Sequence, residues 1–214
     1  MPTLYYSRNP NPRLAVAVAR YLGAPVTLEW AAPFAPGQAE RFLKLNPTQR
    51  IPILVEDDTP PLWEADAIAC RLSQLTGSDF WRHGSDQPDM IRWISWGHVY
   101  FVRACDIVSF ETGTKLRYHI GPQDPAALAE GHRQFHEHAP ILDRHLESRD
   151  WLTGTTPSHA DFRMATFLPF NANMRLPLQN YPALAAWYAR LETITAWSDP
   201  FQGLDAPALP PIPA

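Results

Sequence analysis

The sequence predicts an α/β unit over residues 1–77 followed by an all-helical unit over 89–214. Two observations carry this expectation: short apolar runs alternate with amphipathic stretches through the first third, and strand-like alternation is lost after residue 88. The composition also shifts near residue 78, so 78–88 is assigned as a linker. Hydrophobic residues make up 45% of the 214 positions, enough to give each unit a core.

Leu4 to Ser7 reads as a short buried strand. Asn11-Pro12 then offers an N-cap with proline at the first helical position. Leu14, Val16, Ala17, Val18 and Leu22 give the helix an apolar face, and Gly23 and Pro25 stop it. Val26 to Glu29 reads as the second strand, so a parallel β-α-β unit with a right-handed crossover is expected. A proline-rich loop over Ala31 to Gly37 leads to a short helix around Gln38 to Leu45.

Leu45-Asn46-Pro47-Thr48-Gln49-Arg50-Ile51-Pro52-Ile53-Leu54-Val55 comes next, then Pro61-Leu62-Trp63-Glu64-Ala65-Asp66-Ala67-Ile68. Pro52 cannot donate to a sheet ladder, so it opens the strand Ile53 to Val55. A cis Ile51–Pro52 bond is expected, with the Ile51 amide and carbonyl turned outward to pair with an extended peptide ligand. Trp63 is assigned to the core, and a helix from Ala65 to about Leu75 completes the order βαβαββα. In the second unit, helices are expected over Asp89 to Lys115, Pro125 to Ser148, Ser158 to Leu168 and Pro182 to Ala196. The proline-rich tail from Asp205 is expected to run as an extended strap.

The formal net charge of −4, without clustered Lys and Arg, gives no electrostatic footprint for nucleic acid. No apolar run suggests a signal segment or a membrane span, so the expectation is a cytoplasmic protein without membrane partners. Cys70 and Cys105 are far apart on expected helices and suit a reducing compartment. His132 and His136 have the i,i+4 spacing of two metal-binding imidazoles, but no motif fixes further ligands and no metal site is expected.

Ile51-Pro52 before a strand, Glu64-Ala65-Asp66-Ala67-Ile68 at a helix start, Trp151-Leu152-Thr153-Gly154 and Ser158-His159-Ala160-Asp161 together resemble the soluble glutathione transferase family, bacterial-like. The resemblance spans nearly the whole chain. It implies a thioredoxin-like N-terminal domain, an all-α C-terminal domain and glutathione as cosubstrate. The partners it implies are a small apolar electrophile and a second copy of the chain in a homodimer, and the role it implies is detoxification. Peroxidase, dehalogenase or isomerase chemistry, or a non-catalytic binding module, are the alternatives.

For glutathione binding the resemblance points to Arg50, Ile51, Pro52, Glu64 and Ala65. Arg50 is placed at the glycyl carboxylate, Glu64 at the ligand's ammonium group, and the helix-start amides at the γ-glutamyl carboxylate. Where the family has serine this chain has Ala65, which removes one hydroxyl donor. Thiolate stabilisation falls to the loop Tyr6-Ser7-Arg8-Asn9. Counting from the strand selects Tyr6, counting back from Arg13 selects Asn9, and Ser7 lies between. Ser7 and Asn9 are expected to share the donor role, with Tyr6 mainly packed. Arg13 is assigned a structural ion pair. Asn11, Trp96 and Tyr100 are assigned to the electrophile pocket. No cysteine precedes Cys70, which disfavours a mixed-disulfide mechanism. Ser158 and Asp161 have capping-box spacing and are read as structural.

Overall fold

The structure is a computed structural model that describes residues 1–33 and 35–213; Phe34, in the expected proline-rich loop, and Ala214, at the end of the tail, lie outside the described residues. In chain order the elements are β1 (Thr3–Tyr6), α1 (Pro10–Leu22), β2 (Thr27–Trp30), α2 (Ala39–Leu45), β3 (Ile53–Val55), β4 (Leu62–Trp63) and α3 (Ala65–Thr76). They are followed by α4 (Gln87–Val99), α5 (Phe101–Ser109), a π-helical turn over Phe110–Thr114, α6 (Lys115–Arg117), α7 (Pro125–Leu146), α8 (His159–Met164), α9 (Asn171–Met174), α10 (Pro182–Glu192) and α11 (Thr195–Ser198). The chain divides into two compact units, Met1–Trp81 with Thr195–Ala208, and Arg82–Ile194 with Leu209–Ala214.

In the first unit the sheet order is β2-β1-β3-β4. β1 runs parallel to β2 and antiparallel to β3, and β3 runs antiparallel to β4. Side chains alternate across a strand. Tyr6 therefore packs with Val16 and Phe201 on one face, while Tyr5 joins Phe42 and Ile53 on the other. Helix α1 is buried over eight consecutive residues, Pro12 to Ala19, because it packs against α3, β1 and α11. Leu14, Val16 and Val18 are essentially inaccessible to solvent, each contributing about 1.5–3 kcal/mol relative to exposure.

Three expectations about the first unit need correction. The cap of α1 is Asn9, extended at φ −66° and ψ 158°, with Pro10 as the first helical residue, rather than Asn11-Pro12. Two Asn-Pro pairs compete there, and the amide of Arg13 bonds the Asn9 carbonyl at 2.9 Å, which closes the helix one pair earlier. Residues 195–208 belong to the first unit instead of the helical one, because α11 and Phe201 pack on α1 and Tyr6. Trp63 lies exposed on the two-residue edge strand β4 instead of in the core. Arg13 is buried, donates to the Trp197 carbonyl and lies 4.8 Å over its indole.

In the second unit the expected single helix over Asp89 to Lys115 breaks at Tyr100 and then widens into the π-helical turn. A Cβ at Gly97 would stand 3.1 Å from the Met164 side chain, so glycine permits α4 to approach α8 closely. Gly131 plays the same part between α7 and α5, where a Cβ would meet Val108 at 2.8 Å. The π-helical turn directs Glu111 inward to accept from Lys115 at 3.0 Å and from the Asp124 amide at 2.7 Å. Asp124 caps α7 by accepting from Ala126 and Ala127.

The capping box at the start of α8 is a densely hydrogen-bonded polar centre of this unit. Asp161 is fully buried. Its Oδ1 accepts from the Leu152 amide at 2.8 Å and the Trp187 indole at 2.9 Å. Oδ2 accepts from the Ser158 amide at 2.9 Å and the Ser158 hydroxyl at 3.0 Å. Thr153 donates in turn to Ser158 at 3.0 Å. One carboxylate thus ties together the 152–158 loop, the start of α8 and the indole of α10.

Candidate functional site

Three elements of the first unit converge at the C-terminal end of β1. The β1–β3 ladder ends at Tyr5 and Ile53, so Ser7, just after β1, and Ile51-Pro52, just before β3, lie at the same end of the sheet. Ile53 is paired with Trp63, so Glu64 and the start of α3, which follow β4, lie at that end too. The end of β1, the chain entering β3 and the N-terminus of α3 share that end of the sheet, the position where α/β sheets carry ligands.

The Ile51–Pro52 peptide bond is cis. Pro52 is buried, Ile51 half-buried, and among the described residues no partner takes the Ile51 amide or carbonyl. The preceding loop is built on Asn46, a buried residue that sequence reasoning missed. Its Nδ2 donates to the Arg50 carbonyl at 2.7 Å, and its Oδ1 accepts from the Thr48 amide and hydroxyl at 2.9 Å each. An asparagine after a helix, answering its own loop, is an Asx-turn signal legible in the sequence. Gln49 takes the left-handed conformation at φ 56°, and the Arg50 side chain is exposed.

At the start of α3, Glu64 is also left-handed at φ 73° and its side chain makes no capping bond. Its carboxylate is exposed, so it is available to a ligand's cationic group. Ala65 is buried as the first helical residue. A twelve-residue helix whose cap side chain leaves the N-terminal end open favours an anion there.

In the first loop, Ser7 is buried, and its Oγ accepts from the Asn9 amide at 3.3 Å and from Asn9 Nδ2 at 3.2 Å. Among the described residues no acceptor takes the Ser7 proton. The hydroxyl is thus held by two donors with its own hydrogen left for a ligand. Asn9 directs an amide hydrogen to Ser7. The Tyr6 hydroxyl donates to the Asp205 carbonyl at 3.1 Å, and its ring stacks on Phe201 at 5.9 Å. Burial, then Asp205, pushes the Tyr6 phenol above its ordinary value, against lowering by Arg8 and Arg20. Asn11 is exposed on α1.

Trp96 and Tyr100 lie in the second unit, in an aromatic group with Trp93 and His138. Trp96 stands 5.5 Å from Trp93, and Tyr100 stands 5.0 Å from His138. Trp96 is half-buried and Tyr100 exposed. On α7, His136 Nδ1 pairs with the Tyr181 hydroxyl at 2.8 Å, and burial, then His136, lowers the pKa of His132. Burial raises the thiol pKa of both Cys70 and Cys105, and no disulfide joins them. Among the described residues no helix is long and apolar enough to cross a membrane.

Residues 10–75 match the family model for the glutathione S-transferase N-terminal domain, and residues 125–190 match that for the glutathione S-transferase C-terminal domain. The chain is 26% identical over 210 residues to the disulfide-bond oxidoreductase YfcG of Escherichia coli, covering 90% of this chain and 91% of that protein. It is 26% identical over 159 residues to FtsZ-localized protein A of Caulobacter vibrioides, covering 71% of this chain and 70% of the relative. Among solved structures, glutathione transferase F7 from Populus trichocarpa superposes with a TM-score of 0.83 at 19% identity, covering 96% of this chain and all of that one.

Proposed function

Because the chain belongs to the glutathione S-transferase family, we propose that it binds glutathione at the end of β1 and ionises its thiol for attack on a small apolar electrophile. The observation that carries this reading is the register that brings Ser7, Ile51 and the start of α3 to one end of the sheet. In the proposal the Ile51 amide and carbonyl pair with the cysteinyl backbone as an added strand. The open N-terminus of α3 takes the γ-glutamyl carboxylate, Glu64 takes the ammonium group, and Arg50 takes the glycyl carboxylate. The Ser7 hydroxyl donates to the thiolate, and Asn9 holds Ser7 in place. Tyr6 is given a packing role.

Lowering a thiol from about 8.5 to about 6.5 takes ~2.7 kcal/mol. A hydrogen bond to a charged sulfur contributes ~1.5–3 kcal/mol and the nearby start of α1 adds up to ~1 kcal/mol, so one hydroxyl with a helix terminus suffices. The raised thiols of Cys70 and Cys105 count against a protein–glutathione disulfide. Peroxide reduction, dehalogenation and isomerisation draw on the same thiolate. A homodimer forms part of the proposal, supported by the exposed apolar side chains Ile91, Val99, Tyr100 and Ile141 on the second unit. A cytoplasmic location is supported by two unbridged cysteines.

The test is titration calorimetry with glutathione followed by ultraviolet absorbance of the bound thiolate in the parent and Ser7→Ala. A second reading, a non-catalytic binding module, is favoured by Ala65 in place of the hydroxyl donor and by the similarity to FtsZ-localized protein A. It predicts binding with an unshifted thiol, or none.

A further inference from the structure

We infer that residues 201–206 act as a clamp that holds the first loop, and with it the Ser7 hydroxyl, in position. The inference rests on the assignment of Ser7 as thiolate donor for its consequence, though the clamp itself stands on geometry within the first unit. The two residues flanking Ser7 are both held by this segment. Tyr6 donates its hydroxyl to the Asp205 carbonyl at 3.1 Å, and Arg8 Nε donates to the Ala206 carbonyl at 2.8 Å. Consecutive carbonyls therefore grip the residues immediately before and after Ser7. The Phe201 ring lies between the two grips, stacked on Tyr6 at 5.9 Å and covered by the Arg8 guanidinium at 4.6 Å.

The segment is itself anchored. Arg20 of α1 donates to the Gln202 carbonyl at 2.8 Å, and the Leu204 amide bonds the Phe201 carbonyl at 2.9 Å across a turn with Gly203 at φ +71°. Leu204 and Ala206 pack with Tyr6, Val16 and Phe201. Among the described residues the hydrogen bonds of Ser7 Oγ are the two from Asn9 inside its own loop, and loops with few local contacts sample other conformations. Tyr6 and Arg8 are thus positioning residues. Among the described residues Tyr6 packs in a cluster separate from that of Ile51, so loosening the two grips acts on the thiol more than on the affinity.

The experiment compares the full-length parent with Tyr6→Phe, Arg8→Ala and the double variant, using glutathione as the probe. Amide exchange is read at Asn9 and at Ile53 to Val55, together with the pKa of the bound thiol and the split between KM and kcat. Release of both grips is expected to speed exchange at Asn9 by about ten- to a hundredfold, the effect of losing two net hydrogen bonds, and to leave Ile53 to Val55 unchanged. The bound thiol pKa should rise and kcat fall, with KM nearly constant. Arg8→Lys, which keeps a donor, should restore part of the effect. Unchanged exchange at Asn9 in the double variant overturns the clamp, whatever the thiol does. Faster exchange with an unmoved thiol pKa keeps the clamp and removes Ser7 as donor. A rise confined to Tyr6→Phe, with unchanged exchange, overturns the clamp and makes Tyr6 the donor.

Discussion

Replacing Asp161 by alanine should be the most damaging single change among the polar residues. The carboxylate accepts four hydrogen bonds at 2.8–3.0 Å, two from the backbone amides of Leu152 and Ser158 and two from Ser158 Oγ and Trp187 Nε1. Alanine accepts none, so four donors lose their partner where Ser158, Leu152 and Trp187 are fully buried. An orphaned buried donor costs about 1–3 kcal/mol. Relaxation and entering water relieve some of that, and the Ser158 hydroxyl can rotate. A net loss of about 3–5 kcal/mol follows, within the range for breaking a buried network. At ~2–4 °C per kcal/mol for a chain of this size, melting should fall by about 10 °C. Chemical denaturation and melting of Asp161→Ala and Asp161→Asn measure this, with asparagine the milder because its oxygen still accepts. Glutathione affinity of the folded fraction, read by calorimetry, should stay near the parent's. Melting within about 2 °C of the parent, or intact melting with lost binding, would refute the structural assignment.

Two further outcomes follow from packing and charge. Gly131→Ala places a methyl group 2.8 Å from Val108 and 3.0 Å from Ile107; it should cost about 1–3 kcal/mol by forcing α5 and α7 apart, and a denaturation midpoint equal to the parent's would contradict that packing. Arg71 donates twice to Glu56 at 2.8 Å, and these bonds lower the Glu56 pKa. A depressed carboxylate contributes stability above its unfolded pKa and loses it as pH falls through the folded value. Arg71→Gln should therefore lower stability by about 0.5–1 kcal/mol at pH 7 for this partly exposed pair, with the difference vanishing under acid conditions. A deficit that persists at acid pH would assign the loss to packing.

What the sequence made legible was local. Pro52 before Ile53-Leu54-Val55, the Ser158-x-x-Asp161 spacing, the Pro125 start of α7 and the Gly23 stop of α1 each act within a few residues. Composition and period then separated a sheet-bearing unit from a helical one. What stayed hidden depends on distant partners. The hydrogen-bond partner of Tyr6 lies 199 residues away and one partner of Arg13 lies 184 away, so nothing in the first loop announces the clamp or the Trp197 carbonyl that accepts from the buried guanidinium. Helical periodicity likewise does not record the break at Tyr100, the close approach of α4 to α8 at Gly97 or the π-helical turn that carries Glu111 inward. At the site, the same blindness left Tyr6, Ser7 and Asn9 as rivals. Their different hydrogen-bond partners distinguish them, and those partners become visible only in three dimensions.

The central claim is that Ser7 donates to the thiolate of bound glutathione, and the most direct test is ultraviolet absorbance of the bound thiolate against pH in the parent and in Ser7→Ala. The account predicts a bound thiol ionising near pH ~6.5 in the parent, with Ser7→Ala raising that value by about one to two units, as the loss of ~1.5–3 kcal/mol requires. Glutathione bound with an unshifted thiol, or a Ser7→Ala profile superimposable on the parent's, would contradict it.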